Sequence, residues 1–565
     1  MSNKVEIITI DGPSGVGKGT LSRLLAQKLD YALLDSGAIY RLAALYVLDH
    51  GIDISHEQLL YDELRQLNIH FAVEDNQTKA FLDGVDVTMR IRQEQTGMMA
   101  SKIAKISIVR DALLACQQAF AQGVRGLVAD GRDMGTVVFP NARHKFFLEA
   151  GSQIRAQRRY DELIAKGQKA DFTEILTQLE ARDHQDRNRE VAPLRPAEDA
   201  LIIDTSSLGV DGVFAKVYAA VKVKNNNEQM TAAIDAYYQL LIKAIDQLGY
   251  APEFLNAPQK IDQANTRLLC QTRSLFFLLT YGELTNTQAA NAYAYKLYQV
   301  MKSQYFDECS KVWFKAQSSK DDNDLYEYAF VLFSLSVLYS TFKEQVIGEY
   351  IEHVNKLITQ KFIADDFKAL KDQHDVIGQN ALMHLFEAYL GAYRHTQNPI
   401  FKTQAEALYQ KIIALFFDHE RSLMREYSRE DKSALFEPGH SFEWSSLIVE
   451  AQALGVDVDI MSDHVGLYQA AAKVGINDCG FIRPNLNDAS KDTQYRIWPM
   501  LEYMRYLAMT ANYERLDNAL NIFSTVFLKH NLPIEYVDSE GAVGFDDVKS
   551  TTGYHLINCW QYMLR

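Results

Sequence analysis

The alternation of apolar and polar positions changes character near the middle of the chain. Before that point, short apolar runs alternate with amphipathic stretches. VEIITI (residues 5–10) is apolar and rich in β-branched residues, which predicts a buried strand. LVAD, just before a GRD, and FFLEA read the same way. LSRLLAQKL has leucines at helical spacing and predicts a helix soon after the first strand. LNIHFAVEDNQTKAFLDGVDVT alternates about a DN turn and predicts a small antiparallel sheet. Past Met230 the period lengthens. AIDAYYQLLIKAIDQL, ANAYAYKLYQVMKSQYF, LYEYAFVLFSLSVLYSTF and QNALMHLFEAYLGAYRHT place apolar residues at i, i+3 and i+4. Strand signals nearly vanish, so the second half reads as stacked helical hairpins with most of its tyrosines and phenylalanines in the core.

Between the two patterns, residues 225–230 are polar up to Met230 and carry no core period, which reads as a short linker between domains 1–224 and 231–565. A length of 565 residues also calls for at least two cores. The net charge of -15 argues against nucleic acid as a partner and leaves room for a local basic pocket for a phosphorylated metabolite. Five scattered cysteines without a CxxC pair point to neither a zinc ribbon nor a disulfide framework, and fit a reducing, cytoplasmic setting. Neither a signal peptide nor an apolar run of about 18 residues is evident, so no membrane partner is expected, while the oligomeric state is left open.

The first strand runs into DGPSGVGKGT, which matches GxxxxGK through Gly12, Gly17 and Lys18, followed by Gly19 and Thr20. A glycine loop between a buried strand and an amphipathic helix turns backbone N–H groups toward phosphate oxygens. The helix N-terminus adds positive potential, and the lysine reaches the β- and γ-phosphates. The expected ATP site is therefore Gly12, Pro13, Ser14, Gly15, Val16, Gly17, Lys18, Gly19 and Thr20.

Four further blocks follow: LLDSGAIYR, MASKIAKISIVRDALL, LVADGRDMGTVVFP and ARDHQDRNREVAPL. In order and spacing, residues 4–222 resemble bacterial cytidylate kinases. The resemblance implies an α/β P-loop nucleoside monophosphate kinase fold, a parallel sheet with helices on both sides. It places an acceptor-covering insert at about 63–93 and a lid at about 151–190. The activity implied is ATP-dependent phosphorylation of CMP or dCMP, with Mg²⁺ beside ATP; Gly19 stands where many such loops carry Ser or Thr, so Thr20, the phosphates and water are the candidates to hold it and no ligand is assigned. By the same resemblance, Arg41, Arg110, Arg132 and Arg189 hold the acceptor phosphate or the nucleotide around it. Ser36, Ser101, Asp133 and Asp186 read the cytosine and sugar, and Arg158 reaches ATP from the lid. Lys18, Arg132 and Arg189 form the catalytic set. The residue types suit the task, since phosphoryl transfer needs alignment and positive charge more than covalent help, and arginine forks pair two phosphate oxygens at once.

In the second half, four stretches depart from plain helix packing: TRLLCQTRSLFF, QNALMHLFEA, FEPGHSFEWSSLIVEA and TTGYHLINCW. His440 and Glu443 stand three apart on one helical face at a loop-to-helix junction. With LYEYAFVLF and RIWPMLEYMRYLA, these blocks resemble the N-acylglucosamine 2-epimerase superfamily, which also holds mannose and sulfoquinovose isomerases, over residues 232–565. The resemblance implies an all-α (α/α)6 barrel with no cofactor. His440 and His555 would be its acid/base pair, His384 would open the ring or hold the sugar, and Arg273 and Glu443 would stabilise an enediolate. Histidine suits proton transfer near neutral pH. The alternative is a barrel that binds sugar or serves assembly without catalysis. Cys270 stands near a position that is often tryptophan, and the domain is somewhat short, so trimmed loops or a missing hairpin are expected.

Overall fold

Glu6–Asp11 forms a strand: four of its six residues, Ile7, Ile8, Thr9 and Ile10, are β-branched, and strands flank it on both sides. In the computed structural model, which describes residues 5–564 except 75–76, 166, 190, 320–323, 365–366, 372–375, 429–434, 459–463, 487–493, 539 and 546, the chain divides into two units, Met1–Val221 and Lys222–Arg565.

The first unit is built on β1 (Glu6–Asp11), β2 (Ala32–Asp35), β3 (Ile69–Glu74), β4 (Gln77–Leu82), β5 (Val85–Asp86), β6 (Gly126–Gly131), β7 (His144–Glu149) and β8 (Leu201–Asp204). The main sheet has the order β2-β6-β1-β7-β8, with every neighbouring pair parallel. All six residues of β6 are buried, the mark of a strand covered on both faces. Parallel strands put their carboxyl ends on one edge, where ligands of open α/β sheets bind. The antiparallel set β3-β4-β5 falls within residues 63–93. The expected lid span contains helices Ser152–Ala165 and Phe172–Asn188.

Residues 225–230, read from sequence as a linker, are helical and lie inside a helix spanning Val210–Leu248. Asparagine is a poor helix former, but propensity is a weak prior. Here Val217, Val221, Met230, Ala233, Ile234 and Tyr237 supply buried positions on either side of the segment.

The second unit is a ring of helices. Six inner helices, Leu268–Thr285, Leu325–Phe342, Gln379–Thr396, Pro438–Ala453, Ile497–Met509 and Thr552–Met563, pack each against the next, and the last packs against the first. They are buried nearly all round, as apolar helices at the centre of a fold must be. Gln288–Tyr305, Gln345–Ile358, Pro399–Phe416, His464–Gly475 and Tyr513–Val526 each pack outside the inner helix before them. The sixth outer position is filled by the end of Val210–Leu248. There Tyr237 meets Phe277 edge-on, and Trp560 Nε1 donates to Thr231 Oγ1 at 3.2 Å. The (α/α)6 ring is therefore complete, and the hairpin whose loss the short domain suggested is present.

Among the described residues, Leu325–Phe342 is long and apolar enough to cross a membrane, with mean hydropathy 1.3, against the expectation of no such run. Yet 72% of that window is buried, which makes it the core helix of the ring. Sequence also hid small two-residue strand pairs after outer helices, Phe306–Asp307 with Val312–Trp313 and Phe417–Asp418 with Leu423–Met424. Two residues are too few for alternation to show.

Candidate active sites

In the first unit, the loop after β1 needs glycine for a stated reason. Gly12 has φ +150°, and a Cβ there would stand 2.4 Å from the Leu148 carbonyl oxygen. Gly15 and Gly17 have φ +76° and +100°, so the chain curls back on itself before the helix Lys18–Leu29 begins. Lys18 is buried, and its Nζ donates to the Pro13 carbonyl at 2.9 Å. Burial, then Arg132, lowers its pKa to about 7, against the pull of Asp130, Asp11 and Asp35. Asp11 fastens the GRDMG block to the loop by accepting from the backbone N–H of Met134 (2.9 Å) and Gly135 (2.8 Å).

The arginines expected at the acceptor converge on the same edge. Arg132 donates from Nη2 to Ser14 Oγ at 2.7 Å and from Nε to Asp186 Oδ2 at 2.9 Å. Arg110 pairs closely with Asp133, and Arg189 Nη2 lies 3.6 Å from the same carboxylate. Arg41 donates to the Ile91 carbonyl at 2.9 Å, near the end of the span expected for the insert. Ser36 is buried at the start of its helix, whereas Ser101 is exposed. Arg158 is engaged away from the loop, on Thr205 and the Leu208 carbonyl. Its neighbour Arg155, 3% exposed, instead donates to the Ser14 carbonyl at 2.8 Å and to Asp183 at 2.5 Å. Both arginines lie on one basic helix, and only the fold shows which turn meets the loop.

The oxygen donors here fit Mg²⁺, a hard cation. Asp130 lies beside Lys18 with its pKa raised to about 7, chiefly by burial, and the missing side chain of Gly19 leaves its Oδ2 open, since a Cβ there would stand 3.4 Å away. Thr20 is exposed on the first turn of the helix.

In the second unit, the polar residues gather at the N-terminal ends of the inner helices. Each of three histidines has Nδ1 on a carboxylate: His384 on Glu387 (3.0 Å), His440 on Glu426 (3.0 and 2.9 Å) and His555 on Glu502 (2.7 Å). An ionised carboxylate only accepts, so Nδ1 carries the proton and Nε2 is left for chemistry. Trp498 stands beside both His440 and His555, with ring centroids 5.0 and 5.7 Å away. Arg273 lies in an aromatic box, 4.4 Å from the Phe330 ring centre and 4.8 Å from that of Tyr554, and donates to Tyr326 Oη at 2.8 Å. Among the described residues it forms no ion pair, and its buried Nε has no partner.

The two outer histidines of the set differ in charge. Burial works against protonation of His440, but Glu426 and Glu437 outweigh it and raise the pKa to about 10. His555 is held well below the usual value, first by burial and then by Arg273 and His384. Burial, Glu502 and Glu387 push the Glu443 carboxyl well up, and its Oε1 has no hydrogen-bond partner. Ligand atoms of His384, Glu387 and Glu443, of Glu426, Glu437 and His440, and of Glu443, Glu502 and His555 lie within 4.8 Å of one another, a spacing a cation could use.

Sequence reading did not find Glu426, Glu502, Trp498 or Arg505. A signal existed for Glu502 and Arg505: charged residues inside a wholly buried helix cannot face water and must face the site or one another. Arg267, the first arginine of TRLLCQTRSLFF, is tied to Glu253 at 2.9 Å.

Comparison with known proteins agrees with this division. Residues 8–223 match the family described as cytidylate kinase, and residues 249–528 match N-acylglucosamine 2-epimerase. A cytidylate kinase of Vibrio cholerae is 50% identical over 224 residues, 40% of this chain and 99% of that protein. One from Aeromonas salmonicida is 52% identical over 219 residues, 39% of this chain and 95% of that protein. Among solved structures, the cellobiose 2-epimerase of Bacillus thermoamylovorans aligns with a TM-score of 0.51 at 15% identity, covering 58% of this chain and 98% of that one. That of Spirochaeta thermophila aligns with a TM-score of 0.50 at 14% identity, over 60% of this chain and 96% of that one. At such identity the structural likeness speaks for the barrel fold. The chain belongs to the cytidylate kinase family through its first unit and carries, joined behind it, a domain of the N-acylglucosamine 2-epimerase family.

Proposed function

We propose that one chain carries two activities: ATP-dependent phosphorylation of CMP or dCMP, and proton transfer at C1 or C2 of an opened sugar, as an aldose–ketose isomerase or 2-epimerase. The first is supported by the set of arginines held on carboxylates around the glycine loop. Arg110 and Arg189 on Asp133, and Arg132 between Ser14 and Asp186, stand ready to exchange these partners for phosphate oxygens. Asp133 and Asp186 then accept from the exocyclic amine of cytosine or from the sugar. Thr20, Asp130 and the nucleotide's own phosphates would hold Mg²⁺, which neutralises charge on the phosphates when bound. Arg155 secures the lid helix to the loop, so ATP is enclosed when the lid closes. Comparing CMP, dCMP, UMP and AMP as acceptors tests the reading; a preference for AMP would overturn the roles of Asp133 and Asp186.

The second activity is carried by the opposed charge states of His440 and His555. His555, neutral with Nδ1–H on Glu502, takes the proton from sugar carbon through Nε2. His440, protonated and flanked by Glu426 and Glu437, supplies one. The unpaired Arg273 and the neutral Glu443 carboxyl face the negative charge of the enediolate, and His384 assists ring opening. Two histidines are enough to serve both faces of C2 in an epimerase, or C1 and C2 in an isomerase. The full-length protein is incubated in D2O with mannose, glucose, fructose and N-acetylglucosamine. Deuterium should enter C1 or C2 of one of them, and His440→Ala should abolish this while CMP phosphorylation continues. Exchange into none of a broad sugar panel, with normal kinase turnover, would sink the second activity.

A further inference from the structure

Arg505 is completely buried on the inner helix Ile497–Met509, one turn after Glu502. Its Nη1 lies 3.2 Å from Glu502 Oε2 and 3.7 Å from Glu387 Oε1, and its Nη2 donates to Glu450 Oε2 at 2.9 Å. Glu502 and Glu387 are the two carboxylates that take the Nδ1 protons of His555 and His384. One guanidinium thus stands behind both. Glu450 is in turn paired with Arg394 at 2.6 Å, which holds the far side of the fork.

We propose that Arg505 is a positioning residue of the barrel site: it keeps Glu502 and Glu387 ionised as hydrogen-bond acceptors, so that His555 and His384 hold their protons on Nδ1 and present Nε2 to the substrate. This rests on the reading of His555 as the base. The need follows from crowding. Glu387, Glu443 and Glu502 are all at least nine-tenths buried and lie close together, and buried like charges cannot all stay ionised without a cation. Glu443 resolves its share by staying protonated. For Glu502 and Glu387 the cation is Arg505. Burial works to raise both carboxyls and leaves Glu502 above its ordinary value, with Arg505 the chief group pulling it down; Glu387 is lowered to about 2, by His384 first and then Arg505. Around His555 the charged or titratable groups include Arg273 from Leu268–Thr285, His384 and Glu387 from Gln379–Thr396, Glu443 from Pro438–Ala453, Glu535, and Tyr554 beside it, with ring centroids 4.9 Å apart. Arg273 is committed to its aromatic box and carries no hydrogen bond to Glu502. Without Arg505, the Glu502–His555 pair takes up a proton, on one partner or the other. Either location removes the free Nε2 base, and the two are one macroscopic titration.

The test uses full-length protein labelled with ¹⁵N-histidine, with His555 assigned by a His555→Gln variant. Nitrogen shifts read tautomer and protonation with no sugar present, so the result stands whether or not the sugar reaction is found. Wild type should show His555 neutral with Nδ1–H near pH 7. In Arg505→Met, proton uptake by the pair should move upward by about one pH unit or more, and Arg505→Lys should restore most of it. Where a sugar exchanges deuterium, the lower limb of the pH profile should move by the same amount. Glu450→Gln, which frees Arg505 to pair more fully with Glu502, should move it down and keeps the test alive if Arg505→Met does not fold. A lower rate with an unmoved limb and an unmoved His555 titration in these variants overturns the proposal and leaves Arg505 as packing. Absence of exchange with the expected nitrogen shifts would instead refute only the sugar reaction.

Discussion

Replacing Glu426 with Gln isolates the charge that keeps His440 an acid. The carboxylate lies 14% exposed with both oxygens about 3 Å from Nδ1, at 3.0 and 2.9 Å, while Glu437 stands farther off at 3.7 Å. Gln keeps the shape and an acceptor oxygen and removes the charge. An opposite charge at this range moves a pKa by about 1–3 units, so His440 should fall from about 10 to roughly 8, with Glu437 still in place. The sign follows from the raised pKa: the acid form persists below it and is lost as pH climbs through it. At about pH 9 the protonated fraction then drops roughly tenfold relative to wild type, and at about pH 6.5 hardly at all. The assay is deuterium incorporation into the exchanging sugar across pH, with kcat/KM for each protein. The charge-assisted bond should also cost about 1.5–3 kcal/mol of stability in the helical unit, read by denaturant melts. An equal proportional loss at both pH values would show that Glu426 only positions the ring. An upper limb that moves upward would refute the assignment of His440 as the acid.

Lys18→Ala should lower kcat for CMP phosphorylation by about 10²–10³-fold in steady-state assays, since in the proposed reaction its charge stabilises the transferring phosphoryl group. Asp133→Ala leaves Arg110 and Arg189 without their shared carboxylate, and should raise KM for CMP at least about tenfold while KM for ATP changes little, read by coupled assay. Gly391→Ala would place a Cβ 2.5 Å from a Phe333 ring carbon between two inner helices, and should destabilise the ring by about 1–3 kcal/mol in urea melts without a change in the pH limbs.

The first unit was legible because its chemistry sits on contiguous blocks: the glycine loop, GRDMG and DRNR each carry several site residues within a few positions. What sequence missed there is which turn of a basic helix meets the loop, and so Arg155 rather than Arg158 reaches Ser14. In the barrel the helices were visible by period and the histidines by their motifs. Their carboxylate partners were not, because Glu426 is 14 positions from His440 and Glu502 is 53 from His555, separations bridged by the loop before one inner helix and by the packing of two consecutive inner helices. The helical run through 225–230 was hidden for a different reason: local asparagine preference is weak beside the buried residues flanking it.

All six inner helices direct their N-termini to the same end of the ring. Each such end carries a partial positive charge of about half a unit, so the barrel floor has a fixed electropositive field before any side chain is counted. That field belongs to the backbone and survives substitution of any single residue. It favours any reaction that builds negative charge on a sugar oxygen, whichever sugar it is. Division of labour follows from the geometry. In the proposed sugar reaction the ring supplies a general stabiliser of oxyanions, independent of the side chains that meet the substrate.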